Sequence, residues 1–203
     1  RGAWDEAERE AEWAVDAQPI MRGPALVVLG RVRTRRGRPG GDALLAEAWE
    51  IAERLGEPQR IHPAGSALAE AAWLRGDPSV VASAVAPAYR RIRGLGSRAG
   101  AAELGYWIRT AGVPVDLDES DHPYALLAAG RWREAAARWQ RAGCRYEYAT
   151  ALAASPDPDD VLTALATLDA LRAEPLARRA RQRLRELGVS RIPRGPVPST
   201  QVN

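Results

Sequence analysis

The sequence predicts an all-α protein, a right-handed α-solenoid of about five to six stacked helical hairpins. Three observations carry that expectation. Apolar residues recur at helical spacing, as in Leu44, Leu45, Ala48, Ala52 and Leu55, or Leu176, Ala180, Leu184 and Leu187, and no stretch sustains period-two alternation. Glycine and proline break the chain at 37–41, 56–58, 76–78, 94–96, 112–114, 156–158 and from Gly188 onward. The segments between are about 12 to 16 residues long, which suits antiparallel helical pairs. The third observation is an internal repeat, in which Leu29-Gly30 with Gly37-x-Pro39, Leu68-Ala69 with Gly76-x-Pro78, and Leu104-Gly105 with Gly112-x-Pro114 align without gaps.

Each part of that unit has a local reason. The small residue after the leucine lets the second helix of a hairpin approach the first. The later glycine ends helix one in a left-handed conformation that other residues adopt at a cost. The proline two positions on suits the first turn of helix two, where its missing N–H is not needed. The repeats start 39 and 36 residues apart, close to the period of about 34 residues of a two-helix repeat. A half-pattern recurs at Gly2-x-Trp4-x-x-Ala7-x-x-x-Ala11-x-x-Ala14 and at Gly130-x-Trp132-x-x-Ala135-x-x-x-Trp139-x-x-Ala142. There tryptophan takes the place of proline, and alanines leave room for a neighbouring helix. Trp4, Trp132 and Trp139 are expected in the core.

Composition sets the outer limits. The 203 residues include 46% hydrophobic and 27% charged side chains, as in an ordinary globular chain. No apolar run approaches the roughly 20 residues that span a bilayer, and the one cysteine, Cys144, makes no internal disulfide framework. A reducing, cytoplasmic setting follows as the expectation. All 29 basic residues are arginines and phenylalanine is missing, which reads as the codon bias of a GC-rich genome. A net charge of +3 is too small to argue for nucleic acid.

The residues that could carry chemistry do not form a catalytic pattern. His62 and His122 precede Pro63 and Pro123 at expected helix starts, where a capping or turn role accounts for them better than acid–base work. Cys144 follows Gly143 at a helix boundary. The glycine-rich 37–42 segment lacks the lysine and hydroxyl of a phosphate loop, and reads as a long turn. Asp116, Asp118, Glu119 and Asp121 miss the spacing of a calcium loop, and with Asp157, Asp159 and Asp160 they read as solvated acids ahead of helices. Among the arginine clusters, Arg178, Arg181 and Arg185 fall opposite Leu176, Leu184 and Leu187, as a solvated outer face does. No metal, cofactor or catalytic residue is expected, and no direct nucleic-acid contact.

The order of small residue, turn glycine, aromatic and stepped alanines resembles the tetratricopeptide repeat over about residues 1–142. Arg33 stands where that family prefers tyrosine, and the last hairpins, about 144–187, lose the motif. The run from Pro123 to Trp139, followed by Arg181-Gln-Arg-Leu-Arg-Glu-Leu-Gly188 and Arg191-Ile-Pro-Arg-Gly-Pro196, looks like the helical region near the end of large actinobacterial LuxR-family regulators. That resemblance implies an ATP-binding switch upstream and a helix-turn-helix reader downstream. It implies a helical repeat domain over 1–188 and a linker over 189–203, cut from a longer protein.

In the tetratricopeptide register, the groove-facing residues of the first helices are Arg31, Thr34 and Arg35, then Glu70 and Trp73, then Tyr106 and Arg109. Arginine, tryptophan and tyrosine dominate binding energy at interfaces, although Trp73 has an alternative use in packing between hairpins. The resemblance implies a non-enzymatic domain that takes a protein, peptide or small effector on a concave face, with a homodimer left open. A general repeat scaffold unrelated to transcription is the second reading. An enzyme with a helical-toroid core is a third, and the sequence offers it no convincing inward acids or histidines.

Overall fold

The computed structural model describes residues 3–17, 21–117, 119–193 and 195. Among them the chain is all-helical: eleven α-helices, a five-residue π-helical segment at Val81–Val85, and no strand. In chain order the helices are α1 (Trp4–Ala17), α2 (Arg22–Arg36), α3 (Gly41–Leu55), α4 (Pro58–Arg75), α5 (Ala86–Ile92), α6 (Arg98–Thr110), α7 (Pro123–Ala128), α8 (Trp132–Arg141), α9 (Arg145–Ala153), α10 (Pro158–Ala170) and α11 (Glu174–Glu186).

The first repeat keeps the small residue and the turn glycine where its sequence implies them, but not the proline. Gly37 ends α2 with φ 68°, donating its N–H to the carbonyls of Arg33 and Thr34. A Cβ on Gly30 would come within 2.7 Å of the Leu45 side chain and 3.1 Å of the Gly41 carbonyl. Only a missing side chain lets α2 and α3 lie this close. Pro39 sits in the turn ahead of α3, not in its first turn.

In the second repeat Gly76 ends α4 with φ 79°, and Pro78 immediately precedes the next helical stretch. The third repeat departs from expectation. Gly112 takes φ 89°, but Pro114 starts no helix: residues 111–122 are a connection, and the next helix begins at Pro123. Here the space beside Gly105 is filled by Leu117, whose Cδ2 lies 2.2 Å from where a Cβ would be. The connection is tied down by the Tyr89 hydroxyl, which donates to the Asp116 carbonyl at 3.2 Å, and by Arg93 on the Asp116 carboxylate at 3.0 Å.

Side by side, α2 meets α4 and α4 meets α6, while α3 packs on both α2 and α4. Pairings of His62 with Gly100, Gly65 with Leu104 and Trp73 with Trp107 show α4 and α6 running parallel. This inner layer buries Leu26, Leu45, Ile61, Leu104, Trp107 and Ile108 in one continuous apolar core that extends through α10 to Leu184 of α11. The last helix returns to the first hairpin, α11 packing on α2.

Several boundaries differ from the sequence reading. His62 is not at a helix start. It is the fifth residue of α4, followed by Pro63 inside the helix, and Pro58 opens α4 instead. The break between α10 and α11 carries no glycine: Arg172 itself takes φ 55°. Pro175 in the first turn of α11 is the signal available there, because the N–H it lacks is not needed at a helix start. Of the tryptophans, Trp4 is buried, whereas Trp132 and Trp139 are only half-buried. Short α8 packs through Ala135 and Ala136, leaving those rings on its flanks. Of the expected linker, the part beyond 195 and Arg194 lie outside the described residues, as does Asp118. The part described folds back on α11, with the Pro193 carbonyl accepting from Arg181 at 3.2 Å.

Candidate functional site: the inner face of α2, α4 and α6

Helical spacing places Arg31 and Arg35 on one side of α2, and Glu70 and Trp73 on the side of α4 that meets it. Arg35 donates from Nε and Nη2 to both oxygens of Glu70, at 2.9 and 3.1 Å, and from Nη1 to Glu147 of α9 at 3.0 Å. Arg31 reaches Glu103 of α6 at 2.7 Å and Glu70 at 3.4 Å. Two guanidinium groups and three carboxylates thus join four helices. Glu70 is 1% exposed, so this cluster lies at the centre of the molecule and not on an open groove.

Burial and charge compete here, and charge wins. Desolvation opposes the charge on Arg35, yet Glu70 and Glu147 hold its pKa well above the ordinary arginine value. Arg31 is held up in the same way, chiefly by Glu103. Burial alone would raise the Glu147 pKa, but Arg35 outweighs it and brings the carboxyl below the usual range. The guanidinium of Arg35 also lies 3.9 Å above the Tyr146 ring. Burial pushes the hydroxyls of Tyr124 and Tyr146 well above the usual phenol range and that of Tyr106 to about 12.

The remaining expected groove residues part company. The Thr34 hydroxyl lies 2.6 Å from where a Cβ on Gly41 would be, so it packs within the α2–α3 hairpin. Trp73 is half-buried against Trp107, at 5.5 Å between rings, and under the Arg179 guanidinium of α11 at 4.3 Å. Tyr106 joins Trp107, Tyr124, Trp139 and His122 in an aromatic layer. Arg109 alone among the seven is exposed. It lines a cleft of about 700 Å³ with Arg131 and Asp121, beside a second of about 320 Å³ lined by Ser97, Arg98 and Leu117. Both clefts flank the 111–122 connection.

The sequence reading missed how the other arginines at the end of α2, and Arg38 in the turn after it, are used. Arg33, Arg36 and Arg38 all reach Glu8 of α1, at 3.3, 3.3 and 2.6 Å, while Arg33 also pairs with Glu12 and Arg36 with Asp5. The acidic run of α1 was the available signal, since it lies one hairpin turn from the basic run. On α11, Arg178 and Arg185 are exposed as expected. Arg181 is instead half-buried, with both Asp169 oxygens at 2.8 Å.

His122 caps α7 by position, but its ring stacks on Tyr124 and makes no capping hydrogen bond. Neither ring nitrogen of His62 has a hydrogen-bond partner, and burial lowers the pKa of both histidines. Among the described residues no three His, Cys, Asp or Glu side chains form a group able to hold a metal ion, and no helix is long and apolar enough to cross a membrane. The chain matches no family model, no curated protein and no solved structure.

Proposed function

We propose that this chain is a non-enzymatic, tetratricopeptide-like interaction domain of a LuxR-type transcriptional regulator. Its inner face takes a protein, peptide or small effector. In that role it couples an upstream nucleotide switch to a downstream DNA reader and leaves DNA contact to the latter. The observation that carries the reading is the repeat unit itself: a helix with a small residue after leucine, a left-handed glycine, and a second helix seated on the small residue, as at Gly30, Gly37 and Leu45. Parallel packing of α4 and α6 supports stacked hairpins, the arrangement in which such arrays offer a shared face to a partner. The neutralisation of Arg33, Arg36 and Arg38 by α1 supports a role without direct phosphate contact.

The coding sequence on either side tests the regulator assignment. A helix-turn-helix pattern within about 70 residues after Asn203 and a GxxxxGK[ST] segment before Arg1 are expected. A stop directly after Asn203 would overturn it and leave a general repeat scaffold.

A further inference from the structure

Two distant parts of the chain meet across the inner face. From the C-terminal side, α9 brings Glu147 onto Arg35 and the Tyr146 ring under the same guanidinium. Trp4 of α1 packs on that ring at 5.7 Å between centroids. From α11, Arg179 lies over Trp73 and donates to its carbonyl, and the Pro175 ring sits 3.3 Å from where a Cβ on Gly37 would be. These contacts join residues 112 and 106 positions apart.

The seam differs in kind from the interfaces between sequence neighbours. Leu45 inserts at Gly30, and Leu104 comes within 3.0 Å of a Cβ on Gly65, so α2–α3 and α4–α6 are sealed by apolar side chains in glycine notches. Across the seam, α2 meets α11 more sparsely than it meets α1, α3 or α4, and beside the Pro175–Gly37 and Trp4–Tyr146 contacts its ties are charge-assisted and cation–π. Although buried or half-buried in the closed form, both guanidinium groups and the Glu147 carboxylate are hydrated once the seam parts. A leucine in a glycine notch has no such alternative.

We infer that α9–α11 form an autoinhibitory closure: they occupy the inner face in cis, and the seam through Arg35–Glu147 and Trp73–Arg179 is where the molecule opens. This rests on the reading of the inner face as the binding face. Opening uncovers Arg35, Glu70 and Trp73 together, and a partner taking that face displaces Glu147 and Arg179. The closed form alone holds both ties, so weakening either raises the open population.

Electron–electron distance measurements on the full chain test the closure with no partner added. Spin labels go on Asp77→Cys, just beyond α4, and Arg178→Cys, on the exposed side of α11, in a Cys144→Ser background. The expected result is a short main distance with a minor longer component. That component grows roughly tenfold in Glu147→Gln and in Arg179→Ala, as loss of a charge-assisted hydrogen bond gives. A control pair at Leu55→Cys and Asp77→Cys, within the α3–α4 hairpin, keeps one distance throughout. A single short distance in the parent and in both variants would overturn the closure. If one variant does not fold, the parent distribution and the other variant decide. The measurement involves no partner and no flanking domain, so its failure leaves the regulator reading standing, and failure of that reading leaves the measured opening intact.

Discussion

The two sides of α2 dispose of their arginines in opposite ways. Toward the inner face, Arg35 is 7% exposed and spends its whole guanidinium on Glu70 and Glu147. Toward α1, Arg33 and, in the turn after the helix, Arg38 are 29% and 48% exposed and share the buried Glu8 with Arg36, itself 9% exposed, with Glu12 and Asp5 as further partners. The inner cluster is scarce in alternatives: each group lost leaves another buried without a counter-charge. The outer cluster is redundant: Arg33 and Arg36 each have a second acid, and water reaches Arg33 and Arg38. The number of ion pairs is similar on both sides, so what each contributes is decided by whether its groups have second partners or water, not by count.

The largest effect is expected at Glu70. Glu70→Ala strips Arg35 of its bidentate partner at a site that is 1% exposed, and should cost about 3 to 5 kcal/mol in urea unfolding. Replacing both partners, with Arg35→Met and Glu70→Leu, should recover part of that loss, since Arg31 keeps Glu103 and only Glu147, 20% exposed, loses its partner. An additive loss in the double variant would break the comparison, because the pair would then be contributing more than mutual neutralisation.

Next comes Glu8→Ala. Three arginines lose a shared, buried ligand at once, yet Arg33 keeps Glu12, Arg36 keeps Asp5 and Arg38 is open to water, so the expected cost is about 1 kcal/mol and shrinks as salt is added. A cost equal to that of Glu70→Ala, or one indifferent to salt, would mean the two sides of α2 are not distinct.

The acid limb of stability sharpens the contrast further. His62 and His122 have pKa values lowered from 6.5 by burial, so the unfolded chain takes up protons first and stability starts to fall as the pH drops below about 6.5. Glu147 has its pKa lowered from 4.5. The stability this pairing provides is complete above that value and is lost as the pH falls through the folded-state pKa. Two successive losses are therefore expected in urea midpoints between pH 7 and 3. His62→Gln should soften the first and leave the second, and Glu147→Gln the reverse. A single loss confined to the range below 4.5 would show that the histidines titrate alike in both states.

How far the sequence can be read follows the same division between local and distant causes. The helical class and the turns at Gly37, Gly56, Gly76 and Gly112 were legible, because periodicity and left-handed glycines act within a few residues. The use of Gly30 was legible as well, its neighbour Leu45 lying in the adjacent helix. Gly105 stands in the same motif, but Leu117 of the following connection fills its notch, and nothing in the repeat itself announces that competitor. The burial of Arg35 depends on Glu147, which lies 112 residues away. The tetratricopeptide register assigned Arg31, Arg35 and Glu70 to an open groove, whereas the structure buries them together. It carried no sign that α9 and α11 return to cover them. Arg172 escaped notice for a smaller reason: a non-glycine residue takes the left-handed turn, and only Pro175 in the first turn of α11 marks the break.

At the outer edge of the α1–α2 seam the comparison predicts almost nothing. Arg36 holds the Asp5 carboxyl below its usual range by a 2.5 Å hydrogen bond and by charge, but Asp5 is 82% exposed. Water replaces that bond at little cost, and Arg36 keeps Glu8 at 3.3 Å. Asp5→Asn should therefore leave the urea midpoint at pH 7 where it is, in low and moderate salt alike. A measurable loss would mean that the α1–α2 seam is coupled as tightly as the inner cluster, and that exposure fails to rank the ion pairs of this helix.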